Sequence, residues 1–172
     1  MALLTRQALD VNAFAELFAR THEPLYAYAA AFTLDRGAAE DVVQRAFELA
    51  YARRESFRPE LGSADAWMFG IARHVALDER RRMNRRPAPA PGTDAAHDRG
   101  ADGGLEGTDR RDALFAAVRT LPEQDREVIA LKFWADLPNV EIAALLGCSE
   151  TNVGTRLHRA IARLREVCND VR

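Results

Sequence analysis

The sequence predicts an all-α protein of two small helical domains joined by a flexible linker, with a helix-turn-helix in the C-terminal domain. Three observations carry this. Apolar residues recur at intervals of three and four through both halves of the 172-residue chain, and no β-branched run of period two marks a strand. Between the halves the texture changes to "PAPAPGTDAAHDRGADGGLEGTD", where alternating prolines and scattered Gly and Asp replace the apolar rhythm. Near the C-terminus "EIAALLGCSETNVGTRLHRAIARL", residues 141 to 164, reads as a short helix, a turn at Gly147 and a longer helix bearing a row of arginines.

The first domain spans residues 10–86. In "VNAFAELFARTHEPLYAYAAAFT", Phe14, Leu17, Phe18, Leu25, Tyr28 and Phe32 fall at helical intervals, and Pro24 is expected to begin or bend a helix. After Gly37, Val42, Val43, Ala46, Phe47 and Ala50 form a buried stripe. "RPELGS" is a loop, and the next helix starts near Ser63 or Ala64, with Trp67, Ile71 and Val75 spaced by four. Four helices around one core is the economical arrangement. The last helix carries the strongest charge asymmetry in the chain: Arg73, Arg80, Arg81, Arg82, Arg85 and Arg86 against Asp78 and Glu79. Arginines there suit the negative end of the helix dipole, and they equally suit a phosphate backbone.

The linker, residues 87–110, holds five acids against Arg99 and Arg110, more negative charge than the net −2 of the whole chain, so the rest of the chain is close to neutral with a net +1. A flexible chain of its length spans about 25 to 30 Å, enough to seat the two domains apart on a large partner. The second domain spans 111–168. "RRDALFAAVRTL" ends at Pro122, which opens "PEQDREVIALKFWA". A short helix follows the break at Pro138 and closes at Gly147, and Ser149 is placed to cap the last helix. There Val153, Leu157, Ala160, Ile161 and Leu164 form the inward stripe, while Asn152, Thr155, Arg156, Arg159 and Arg163 lie on the outer flank. That outer chemistry fits a major groove: arginine donates two hydrogen bonds to guanine or holds a phosphate, and asparagine pairs with adenine. A surface helix kept soluble by its arginines would carry the same pattern.

Composition narrows the classes further. No run of eighteen apolar residues is present, and "MALLTRQALDVNAF" lacks the basic-then-apolar order of a secretory signal, so a cytoplasmic location without membrane insertion is expected. Cys148 and Cys168 fit neither a metal-ligand spacing nor a disulfide framework. His22, His74, His97 and His158 are scattered, and no nucleophile–base pair or phosphate-cradling glycine loop is visible. No enzymatic activity, metal or cofactor is therefore expected.

Read together, the halves are more specific than either alone. "AAEDVVQRAFELAYARRESFRPELGSADAWMFGIARHVALDERRR", residues 38–82, resembles region 2 of bacterial RNA polymerase sigma factors of the extracytoplasmic-function (ECF) type. "LPEQDREVIALKFWADLPNVEIAALLGCSETNVGTRLHRAIARLR", residues 121–165, resembles region 4 of the same family. The resemblance implies a protein that binds core RNA polymerase, recognises the −10 and −35 promoter elements and promotes DNA opening. It implies core-polymerase contacts at Asp41, Val42, Gln44 and Phe47. It implies −10 element and melting contacts at Arg58, Glu60, Leu61, Trp67, Arg73, His74, Arg80 and Arg81. For the −35 element it implies Glu150, Asn152, Thr155, Arg156 and Arg159. An inhibitory anti-sigma partner is a habit of many members.

The sequence departs from the family pattern at several places. Arg45 stands where an acid is general, Gly154 where lysine is common, Pro138 and Asn139 where an aromatic-containing lead-in is usual, and His74 where asparagine is frequent. The alternative is a helix-turn-helix regulator without a sigma role, which accounts for residues 121–165 and leaves 38–82 unexplained.

Overall fold

The computed structural model describes residues 9–85 and 113–170, so the linker lies outside the described residues, as does the side chain of Cys168. Asp10 starts α1 (Val11–Thr33) by accepting the Ala13 N–H at 2.8 Å, which satisfies one of the first-turn donors. The helix runs unbroken through Pro24, where the sequence suggested a start or a bend. The first module therefore has three helices among the described residues rather than four. An interior proline costs about 3 kcal/mol relative to alanine. Burial of one face on both sides of it outweighs that cost: Leu17, Thr21, Leu25 and Tyr28 are at most 3% exposed, and each large apolar side chain contributes about 1.5–3 kcal/mol.

Asp35 caps α2 (Arg36–Ala52) through the Ala38 N–H at 2.7 Å. The stripe of Val42, Val43, Ala46, Phe47 and Ala50 is buried as the spacing predicts. Two 3₁₀ turns, Arg54–Ser56 and Pro59–Leu61, fill the expected loop. Ser63 then caps α3 (Ala64–Arg85), its Oγ accepting the Ala66 N–H at 3.0 Å. The buried face of α3 is Ala66, Met68, Phe69, Ala72, Val75, Ala76 and Glu79, while Trp67 and Ile71 sit half-buried at its edge. Glu79 is compensated by Arg45 of α2 at 3.5 Å and Arg82 one turn on at 3.1 Å. Arg45, one of the residues out of family pattern, thus ties α2 to α3.

The second module comprises α4 (113–119), α5 (Glu123–Phe133), α6 (Asn139–Leu146) and α7 (Glu150–Asp170). Pro122 and Pro138 are the N-caps of α5 and α6. Gly147, at φ 64°, ends α6 in the left-handed conformation that glycine adopts without a Cβ clash. Ser149 Oγ accepts the Asn152 N–H at 3.2 Å to start α7.

Buried residues run continuously along α5 from Asp125 to Leu131, because it lies between α7 on one side and α1 on the other. α6 also packs against α3. One apolar core therefore passes through both modules, from Leu17, Tyr28 and Phe69 to Val128, Leu131 and Ile142. The linker composition permits separation; the facing surfaces are nevertheless complementary enough to close.

Candidate nucleic-acid interface

Two basic surfaces meet different fates in this fold. On α7, Val153, Leu157 and Ala160 anchor the helix against α5 and α6, which turns Asn152, Thr155, Arg156 and Arg159 onto one outer face. Asn152, Thr155 and Arg159 are exposed, Arg156 is half-buried, and Glu150 is exposed at the helix start. Thr155 Oγ1 donates to the Thr151 carbonyl at 2.9 Å, which ties the hydroxyl back to its own helix. Arg163 departs from its sequence-based place on this flank. It reaches inward to Asp125 at 2.6 Å and clamps α7 to α5. Gly154 has nothing within 4 Å of where a Cβ would stand, so no close approach requires glycine there.

The second surface is α3 with the loop before it. Trp67 packs edge-on against Phe57 at 5.6 Å and lines a cleft of about 410 Å³ with Arg58, Leu61, Ile71, Glu141 and Leu145. Leu61 is 84% exposed, a large apolar side chain held in solvent at the rim, and Glu60 beside it is exposed. Arg58 is turned back on the loop, donating to the Phe57 carbonyl at 3.0 Å. His74 lies 3.6 Å from Asp78, and Arg81 pairs with the same carboxylate at 3.1 Å, both as surface groups. Arg73 and Arg80 are engaged by the other module. Arg73 Nε donates to Glu127 Oε1 at 2.8 Å, and the buried Tyr28 hydroxyl donates to the same oxygen at 3.3 Å. Burial first, and the Glu127 charge second, raise the Tyr28 pKa well above its ordinary value, so it stays a neutral donor. Arg80 pairs with Glu123 and lies 4.9 Å from the Phe32 ring centre. Glu141 of α6 accepts from the Ser63 N–H at 2.7 Å and from Ser63 Oγ at 2.9 Å, at the positive end of α3.

The sequence reading missed Tyr28, Glu123, Glu127 and Glu141 as site residues. One signal was available: α5 has almost no apolar stripe of its own, which suits a helix enclosed on several sides with its polar groups paired.

On α2, Asp41 and Gln44 are exposed, with Gln44 Nε2 donating to Glu48 at 2.9 Å. Val42 is fully buried, which corrects its place among the contact residues: it offers no surface and only seats the helix. Phe47 is 7% exposed beneath Phe18, whose ring centre is 4.5 Å away, and His22 stacks on Phe47 at 6.0 Å. Phe18 is 44% exposed rather than part of the core stripe, since Leu17 beside it already takes the inward position. These residues line a groove of about 500 Å³ with Tyr26 and Gln44. Within α5, Arg126 donates to the Leu121 carbonyl at 3.1 Å, and burial lowers its pKa from the ordinary arginine value. Among the described residues no three His, Cys, Asp or Glu side chains gather as a metal site, and no helix is long and apolar enough to cross a membrane.

Comparison with known proteins follows the same two modules. Residues 17–86 match the family described as Sigma-70 region 2, and residues 111–164 match Sigma-70, region 4. The chain is 30% identical to the ECF RNA polymerase sigma factor SigK of Mycobacterium bovis, over 99% of this chain and 93% of that protein. It is also 30% identical to the ECF RNA polymerase sigma factor SigL of Mycobacterium tuberculosis, over 82% of this chain and 80% of that one. Among solved structures, CnrH in complex with the cytosolic domain of CnrY superposes with a TM-score of 0.68 at 26% identity, covering 94% and 90% of the two chains. The sigma factor RpoE bound to the anti-sigma factor NepR, from Bartonella quintana, gives 0.71 at 23% identity, over 94% and 100%, a likeness of fold.

Proposed function

The chain belongs to the ECF sigma factors of bacterial RNA polymerase, and from that premise we propose how its two modules divide the work. It is a transcription initiation factor, not an enzyme: it binds core RNA polymerase and promoter DNA. The observation that carries this is the match of region 2 and region 4, in order, each to one helical module. The first module, residues 10–86, docks on core polymerase through Asp41, Gln44 and the rim of Phe47, and its α3 surface holds the −10 element as the strands part. Arg73, Arg80 and Arg81 contact the backbone there, with His74 beside them. Arg58, Glu60, Leu61 and Trp67 frame the cleft, where an unstacked base can enter. The second module, 111–168, reads the −35 element in the major groove through Glu150, Asn152, Thr155, Arg156 and Arg159. Residues 87–110 tether the two.

Exposure and chemistry support these assignments. The α7 face presents polar and basic side chains at one-turn spacing, and the α2 groove combines exposed polar groups with an aromatic floor. An anti-sigma partner gripping the polymerase-facing surfaces of both modules is part of the proposal, as is action in the cytoplasm beside the polymerase. Of two solved likenesses, one is CnrH in complex with the cytosolic domain of CnrY and the other is a sigma factor in complex with an anti-sigma factor.

Run-off transcription with purified core polymerase, on promoters altered separately at each element, tests the division. Loss of −35 selectivity on replacing Arg156 and Arg159, and loss of opening on replacing Arg73 and Arg80, are expected. A dimer that binds inverted half-sites without polymerase would overturn it in favour of an ordinary helix-turn-helix regulator.

A further inference from the structure

We propose that Glu79 is a positioning residue for polymerase docking: from its buried place on α3 it draws the Arg45 guanidinium off the docking face of α2, so that this face meets the polymerase as an acidic surface. This rests on the reading of α2 as the docking helix. Asp41, Gln44, Arg45 and Glu48 recur at intervals of three and four along α2 and are all exposed, so they share one outer face. The ion pair of Arg45 runs to the neighbouring helix, its Nη1 lying 3.5 Å from Glu79 Oε2. Glu79 is 2% exposed, its Oε1 is taken by Arg82 at 3.1 Å, and its Oε2 has no hydrogen-bond partner among the described residues. A buried carboxylate with one oxygen short of a donor attracts a nearby cation strongly, because little water screens it. Glu48, by contrast, is bonded by a neutral amide, Gln44 Nε2 at 2.9 Å, which leaves its charge uncancelled.

The side chain of Arg45 is 46% exposed, so Glu79 sets its direction rather than burying it. Released, the guanidinium would return to the outer face between Asp41 and Glu48, beside Gln44. A polymerase surface that takes Asp41 and Gln44 offers donors and positive charge, and a free cation on the facing helix repels it. An arginine among these acids is compatible with docking because α3 holds it. Glu79 touches neither polymerase nor DNA in this scheme; it acts through Arg45.

The test is equilibrium binding of the fluorescently labelled full chain to core polymerase at several salt concentrations, with circular dichroism confirming the fold of each variant. Glu79→Gln should weaken binding about threefold to tenfold at low salt, and the loss should shrink as salt screens the freed cation. Arg45→Ala should bind at least as tightly as wild type, and Arg45→Ala/Glu79→Gln should match Arg45→Ala. That rescue separates positioning from packing, since a fault in the fold would persist without Arg45. Should Glu79→Gln unfold the chain, Glu79→Asp is the variant read: it keeps the charge but draws the carboxylate back from α2, with a smaller loss that is again absent beside Arg45→Ala. The proposal is overturned if Arg45→Ala itself weakens binding, which would make Arg45 a polymerase contact. It is equally overturned if replacing Glu79 has no effect, or the same effect with and without Arg45. Failure of the underlying reading looks different: Asp41→Ala and Gln44→Ala would then leave polymerase binding intact.

Discussion

Helices α3 and α7 are both arginine-rich and both placed by a buried stripe, yet their basic groups stand in opposite states. Arg73 and Arg80 of α3 are held by carboxylates about fifty residues away along the chain, whereas Arg159 and Asn152 of α7 face outward and make no ion pair among the described residues. Charge patterning along a helix therefore says which groups suit a phosphate; it does not say whether another part of the chain has reached them first. Even within α7 the rule holds, since Arg163 belongs to Asp125 and Arg159 to solvent.

Four changes would break or sharpen that contrast. Arg73→Ala should have the largest effect on stability. It leaves Glu127 buried beside Tyr28 without its cation; a buried pair broken this way costs about 3–5 kcal/mol. Because Arg73 is itself about a quarter exposed, about 2–3 kcal/mol is expected, read by denaturant unfolding. Equal stability of variant and wild type would mean the pair is not formed in solution.

Arg159→Ala should do the reverse, changing stability by less than about 0.5 kcal/mol. Its loss appears in −35 binding. A base contact would cost about 1–3 kcal/mol with relaxed preference at one position; a phosphate contact would weaken all sequences alike and flatten the salt dependence. Titrations at several salt concentrations separate the two.

Tyr28→Phe removes the hydroxyl from Glu127, at a cost of about 1 kcal/mol near neutral pH. The pH dependence has a definite sign. With its pKa raised in the folded state, Tyr28 keeps its proton while the unfolded tyrosine loses one, so wild-type stability should fall as pH rises above about 10. The variant should show a shallower alkaline decline in thermal unfolding.

Gly154→Ala is the smallest change and should stabilise the protein by about 0.5–1 kcal/mol, since glycine in a helix interior carries an entropic cost and the added methyl meets nothing. A rise in Tm with unaltered −35 preference would show that Gly154 does not steer Asn152. A shift in preference would show that it does.

Much of the local structure was legible because its causes are local. Ser63, Ser149, Pro122 and Gly147 mark helix ends through capping and backbone preference, and the stripes on α2 and α7 follow from helical spacing. Pro24 misled because its local penalty was smaller than the burial secured by an unbroken α1. Phe18 fell outside the core for a related reason: Leu17 beside it takes the inward position, and only packing decides which of the two does.

By itself the sequence determined two helical modules, their order, the acidic segment between them and the outward face of α7, all properties of residues within one or two turns of each other. Tertiary structure alone decided that α1 and α3 close on α5 and α6, and that Glu123, Glu127 and Glu141 meet Arg80, Arg73 and Ser63. Those pairings join residues 43 to 78 positions apart, and no periodicity of a single helix encodes a partner at that distance. They arise where shape and charge on two separately formed surfaces become complementary.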